Sequence, residues 1–198
     1  MKINMDDWSR EIIAAKDRRY LPVLYFPCVG LTGNTVAETV HDGRKMAEVM
    51  EATIERFPQI IGAMTGMDLS VDTECFGAKV RFPQNAVPAV EHAVIEEASQ
   101  IAGLAVPPGR SGRVDVFLEA VADAKTKITD RPVFGGQLGP FSLAANVMQM
   151  DKAMMAVITD KEEMPELAAK ATAFLIERAK AYKEAGANGI FPAEPTAG

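Results

Sequence analysis

Three carboxylates crowd one short stretch of the chain: Asp68, Asp72 and Glu74. Like charges that converge raise the pKa of one of their number, which is how proteins hold a carboxyl group protonated near neutrality. Spread along a loop, the same groups are simply solvated, and for Asp72 and Glu74 that is the simpler account. The metal-type ligands are Cys28, Cys75, His41 and His92. Their separations match no compact ligand pair, so they read as packed cysteines and exposed histidines, with no metal site. The run Pro107-Pro108-Gly109-Arg110-Ser111-Gly112-Arg113 could cradle an anion at the start of a helix. Glycine and proline also cluster there for the backbone reasons of an ordinary turn. The methionines recur at helical spacing and read as core filler.

The elements that must position these groups show in the apolar spacing. Asp6 to Lys16 reads as an entry helix, and Pro22–Phe26 as a continuous apolar strand buried on both faces. Asp42 caps a helix carrying Met46, Val49, Met50, Thr53, Ile54 and Phe57, which Pro58 ends. Met67–Val71 is a short strand, and Ala78–Phe82 alternates in period two as a side strand in a small hairpin. The stretch from Pro83 to Gly112 reads as a long excursion with a short helix around Glu91 to Ile101. An apolar helix face through Val114, Phe117, Leu118, Val121 and Ile128 follows, then a third strand at Pro132–Gly136. Gly139 to Met150 and Asp151 to Ile158 are short helices. Pro165 to Glu184 is a long one with Leu167, Ala171, Phe174, Leu175 and Tyr182 inward, stopped by Gly186. Asn188–Ala193 is the fourth strand.

Strand and helix alternate, which points to a parallel sheet with helical crossovers. No strand leads into G-x-G-x-x-G or a Walker A pattern, which argues against an open nucleotide-binding sheet. A barrel fits, although about four strand–helix units are visible where a complete one needs eight. With 198 residues, of which 48% are hydrophobic and 24% charged, the composition is that of an ordinary globular domain. The net charge of −6 argues against nucleic acid as a partner, and no apolar run is long enough to span a membrane. The N-terminus lacks a signal-peptide apolar core, and two cysteines make no disulfide framework, so a reducing cytoplasm is expected.

Three segments resemble the uroporphyrinogen decarboxylase superfamily, which holds those decarboxylases and the methylcobamide:coenzyme M methyltransferases. They are Gly139-Pro140-Phe141-Ser142-Leu143-Ala144 after the third strand, Asp68 nine residues before Gly77, and the ending Ala185 to Gly198 with Glu194-Pro195-Thr196-Ala197-Gly198. The resemblance implies the N-terminal half, about four βα units, of a (β/α)8 TIM barrel, with a small side hairpin and an N-terminal helix. Residues 1–198 would form one partial-barrel domain whose second half-barrel is absent. It implies a site at the C-terminal strand ends. There Asp68 would be the catalytic acidic anchor, with Gly30, Gly135, Gly136, Asn146 and Glu194 binding substrate. The glycines would let backbone approach a large flat ligand, although a tight turn also needs them. Glu194 would line the pocket or cap a helix beyond Gly198.

The decarboxylase branch carries arginines after its first strand that pair with substrate carboxylates. The corresponding positions here are Pro27 and Leu31, with Gly30 retained, and the branch's active-site tyrosine falls on Asn146. Glu-Pro-Thr-Ala-Gly looks like the methyltransferase branch. That resemblance implies transfer of a methyl group from a methylcobamide to a thiol, with porphyrinogen decarboxylation and a non-catalytic tetrapyrrole- or corrinoid-binding subunit as the alternatives. Corrinoid and zinc are implied for a complete family member. The family's zinc ligands, a His-x-Cys pair and a later cysteine, belong to the second half, so no cofactor is expected in this chain. The implied partners are a small-molecule or corrinoid-protein substrate and a second half-barrel chain or a second copy.

Overall fold

The structure is a computed structural model that describes residues 3–159 and 162–196. Its parallel sheet is built from β1 (Ala63–Met64), β4 (Val133–Leu138) and β5 (Gly189–Ala193), in the order β1-β4-β5. Ala63 lies opposite Val133, Phe134 opposite Gly189 and Leu138 opposite Ala193. A parallel bridge from Tyr20 to Ile60 continues the sheet beyond β1. Neighbours in space are therefore neighbours in sequence throughout. A doubly wound open sheet must reverse its order at a switch point; this one does not, and that is the winding of a barrel.

A helix lies between each pair of successive strands: α4 (Gly43–Arg56), α6 (Val114–Lys127) and α9 (Glu163–Glu184). Asp42 caps α4 by accepting from the N–H groups of Arg44 and Lys45, as its type and place foretell. Gly43 lets the start of α4 lie against α6, since a Cβ there would come within 2.6 Å of the Val116 carbonyl. The apolar faces of α4 and α6 meet at Met46, Val49, Met50, Phe117 and Val121, all buried. At the N-terminal strand ends lies α1 (Met5–Ala14), capped by Asn4, whose Trp8 ring packs on Phe134 at 5.9 Å between centroids. The antiparallel hairpin of β2 (Val80–Arg81) and β3 (Ala89–Val90) stands apart from the main sheet, as expected. The fold is thus the N-terminal half of a TIM barrel.

Several boundaries differ from the sequence reading. The first strand shrinks to the bridge at Tyr20. Pro22–Phe26 instead leads into α2 (Tyr25–Cys28), a 3-10 turn over Val29–Thr32 and the short α3 (Val36–Thr39). Pro22 has no N–H to give a ladder, while Pro27 sits in the first turn of α2, where none is needed. The second strand ends before Met67. Asp68 Oδ1 accepts from the N–H and hydroxyl of Ser70, turning the chain out of the sheet and into α5 (Ser70–Cys75). Gly135 and Gly136 lie inside β4, not at its end. The helix expected around Glu91 to Ile101 is only a 3-10 turn at Ala98–Gln100, because Val94 and Ile95 give their N–H groups to the Val147 carbonyl. Beyond β4 the chain forms α7 (Pro140–Met148) and α8 (Met150–Thr159), separated by Gln149 at φ 86°. The methionines divide: Met46, Met50, Met148 and Met164 fill the core, while Met154 and Met155 are exposed.

Candidate functional site

The loops leaving β1, β4 and β5 share one end of the sheet, and each carries a group singled out by the sequence. After β1 comes Asp68, whose side chain is fully enclosed. One carboxylate oxygen accepts from Ser70, and the other accepts from Arg113 Nη1 at 2.8 Å. Arg113 stands at the start of α6 and uses nearly its whole guanidinium. Its Nε donates to Glu74 at 2.7 Å, Nη1 also to the Val40 carbonyl at 3.3 Å, and Nη2 to the Ser70 hydroxyl at 3.1 Å. The Phe82 ring lies 4.6 Å from the guanidinium carbon. Asp68 and Glu74 therefore converge on one cation. Tyr25 is close by. Burial pushes its phenol above the ordinary tyrosine value, with Thr39 opposing and Asp68 adding to the rise.

A second buried pair lies on the other face of α5. Asp72, read from the sequence as a solvated loop acid, is completely buried and paired with Arg178 of α9. Glu74 likewise is largely enclosed against Arg113. Asp72 Oδ2 also accepts from the Leu138 N–H at 2.8 Å, and Arg178 Nη2 donates to the Tyr182 hydroxyl at 3.0 Å and to the Gly136 carbonyl at 3.3 Å. Tyr182 donates to that same carbonyl at 2.9 Å. The two glycines of β4 face opposite ways, as successive strand residues must. A Cβ on Gly135 would strike the Tyr182 ring at 2.5 Å, and one on Gly136 would strike Met67 Sδ at 2.6 Å. Tyr182 and Met67 thus fill the space that the glycines leave.

At the third loop, Glu194 Oε1 accepts from the Ser142 N–H at 2.6 Å, the third residue of α7. Glu194 occupies the space beside Gly139 so closely that a Cβ there has no room. The hydroxyls of Ser142 and Thr196 are also joined. Glu194 is thus a cap, on the preceding helix α7, where the partial positive charge of the N-terminus favours a carboxylate. Asn146, one turn further along α7, is half-buried. Gly30 lies in the exposed 3-10 turn with open space where a Cβ would be. Asp68 and Glu194 sit in separate hydrogen-bond networks.

Sequence reasoning missed the roles of Arg113, Arg178 and Ser70. Arg178 left a signal: it falls on the stripe Leu167, Ala171, Phe174, Leu175, Tyr182, where a charge in a core position asks for a buried partner. Cys75 donates to the carbonyls of Val71 and Ser111, and burial pushes its thiol up to about 11. Among the described residues no three His, Cys, Asp or Glu side chains gather as a metal ion would require. Nor is any described helix long and apolar enough to cross a membrane.

Known proteins share this architecture. The chain is 29% identical over 163 residues to the methylcobamide:CoM methyltransferase MtbA of Methanosarcina acetivorans, and 28% identical over 162 residues to that of Methanosarcina mazei. Each match covers 79% of this chain and 46% of the relative. A solved methyltransferase from Methanosarcina mazei superposes with a TM-score of 0.76 at 25% identity, covering 89% of this chain and 52% of the other. The chain thus spans about half the length of the relatives it matches. The family model for uroporphyrinogen decarboxylase (URO-D) matches residues 19–198. With the barrel winding and the three strand-end loops in place, the chain belongs to the uroporphyrinogen decarboxylase family.

Proposed function

We propose that this chain supplies the N-terminal half of a methyltransferase barrel that moves a methyl group from a methylcobamide to a thiol. Residues 1–198 act in this reading as a single partial-barrel domain. The observation that carries it is the gathering of Asp68, the start of α7 and Glu194 at the C-terminal ends of three consecutive parallel strands, the end at which barrel enzymes do their chemistry. The resemblance to methyltransferases supports that branch, as do Pro27 and Leu31, since neither side chain can hold a substrate carboxylate. Asp68 and Glu194 are the acidic positions of that end, Asn146 its amide and Gly30 a backbone position, whereas Gly135 and Gly136 lie within β4 under Tyr182 and Met67.

The residues present do not fit zinc. The Cys75 thiol is turned to backbone carbonyls and held protonated, and no group of three ligands gathers around it among the described residues. Nor does β4 offer a flat macrocycle a bare glycine surface, because Tyr182 and Met67 cover it. No step through a metal or a corrinoid is derived from these residues. Their work in this reading is to fix the mouth of the barrel: Arg113 and Arg178 hold α5 in place, and Glu194 locks the start of α7 to the loop after β5.

The test joins this chain to the C-terminal half of the Methanosarcina mazei relative and follows loss of methylcobalamin in the presence of coenzyme M. Turnover by the joined protein is expected, and it should fall in Asp68→Asn, which weakens the charge-assisted bond by which Arg113 holds the β1 loop. Formation of coproporphyrinogen from uroporphyrinogen, with no methyl transfer, would overturn the reading.

A further inference from the structure

Helix α8 is turned inside out. Its buried positions are two small residues, Ala153 and Ala156, whereas Met154, Met155, Val157 and Ile158 are exposed by 42%, 61%, 45% and 67%. An ordinary surface helix hides its large apolar side chains and shows its small and polar ones. With Met150, exposed by 41%, Met154 and Ile158 form a stripe of i, i+4, i+8 spacing along the solvent side. Large apolar groups massed on one exposed element mark a binding surface more often than a single exposed side chain does. Methionine, unbranched and polarizable, suits such a surface because it adapts to its partner.

The flank of the stripe is acidic. Between α8 and the 3-10 turn runs a groove of about 420 Å³, floored by Met148, Met155 and Ala156 and edged by Glu96, Glu97 and Asp151. Among the described residues Lys152 is the single base lining it, 4.0 Å from Glu96. This charge decides among occupants. A second copy laid on the same stripe would bring acid against acid. An anionic membrane surface would be repelled by the same three carboxylates.

We propose that the α8 stripe and its groove form a docking surface for an amphipathic helix of another protein, one whose apolar ridge is flanked by lysine or arginine. Apolar side chains of that helix lie along Met154, Met155 and Ile158, and its bases meet Glu96, Glu97 and Asp151. Recognition is of the helix-in-groove kind, with apolar anchors giving affinity and charge giving selectivity. The surface is independent of the strand-end loops and of the reaction proposed for them.

The probes are two 16-residue helical peptides with the same leucine stripe, one flanked by lysines and the other by glutamates, titrated by fluorescence polarisation into the 198-residue chain. Saturable binding of the lysine peptide alone is expected, weakened about tenfold or more by Met155→Asp with Ile158→Asp. Reversal of the edge by Glu96→Lys with Glu97→Lys should weaken it comparably, even if the α8 variant folds poorly. Ile176→Asp, at a 50%-exposed position of α9, should leave binding unchanged. Equal affinity for both peptides, or equal binding by wild type and the two double variants, would overturn the proposal. So would a dimer in light scattering, or flotation with phosphatidylglycerol vesicles, that Met155→Asp abolishes. The first of these results would assign the surface to a second copy and the other to a membrane.

Discussion

The two faces of α5 solve the same problem in different ways. On one, Asp68 and Glu74 share Arg113, and Glu74 keeps part of its side chain in water. On the other, Asp72 and Arg178 are sealed from solvent and lean on backbone, through the Leu138 N–H and the Gly136 carbonyl. The first network ties the β1 loop to the start of α6, and the second ties it to α9 and β4. A charge that can reach water tolerates the loss of its partner, whereas a sealed one does not. The comparison therefore ranks the two arginines: α5 hangs mainly from Arg178, and Arg113 adjusts it.

The largest effect is expected from Arg178→Met. It strands Asp72 in the interior and should cost about 3–5 kcal/mol in urea unfolding. Adding Asp72→Asn should recover at least half of that loss, because the amide carries no charge to desolvate. No recovery would mean that the guanidinium acts by packing against Tyr182 and Phe117 and not by its charge. Next comes Arg113→Met, for which about 2–3 kcal/mol is expected: it leaves Asp68 buried without its cation, but Ser70 still donates to Asp68 and water can reach Glu74. Equal costs for the two arginine variants would break the ranking. The smallest effect belongs to Glu194→Gln, about 1 kcal/mol or less, because the amide oxygen still accepts from Ser142 and only the charge–dipole part is lost. Thermal melts compared with Glu194→Ala, expected to cost up to about 2 kcal/mol, separate the hydrogen bond from the charge.

The barrel half was legible because its signals are local and repeated: apolar strand runs, the Asp42 cap, the inner stripe of α9 and the glycine stop after it. The strand ends were not. Met67–Val71 looks like a strand by residue type, but a hydrogen bond from one side chain to the next turn, Ser70 to Asp68, decides otherwise. Pro22–Phe26 reads as strand until the two prolines are weighed as missing donors. At the candidate site, sequence found the acids and not their cations, since Arg113 lies 45 residues from Asp68 and Arg178 lies on a different helix from Asp72. No pattern within a window reports partners so distant. The exposed face of α8 was hidden for another reason: apolar spacing tells that a helix has a face, not whether the rest of the molecule covers it.

The cap on α7 carries a timetable. Glu194 follows Ser142 by 52 residues, so the helix leaves the ribosome well ahead of the carboxylate that satisfies its first turn. At roughly 5–20 residues per second that lag is on the order of 3–10 s. Isolated helices as short as α7 are marginal in water. Its start therefore stays frayed, open to solvent exchange and to chaperones, until β5 has been made and has paired with β4. The loop after β5 then acts as a latch that reports, through Glu194 and Thr196, that the fourth strand has arrived.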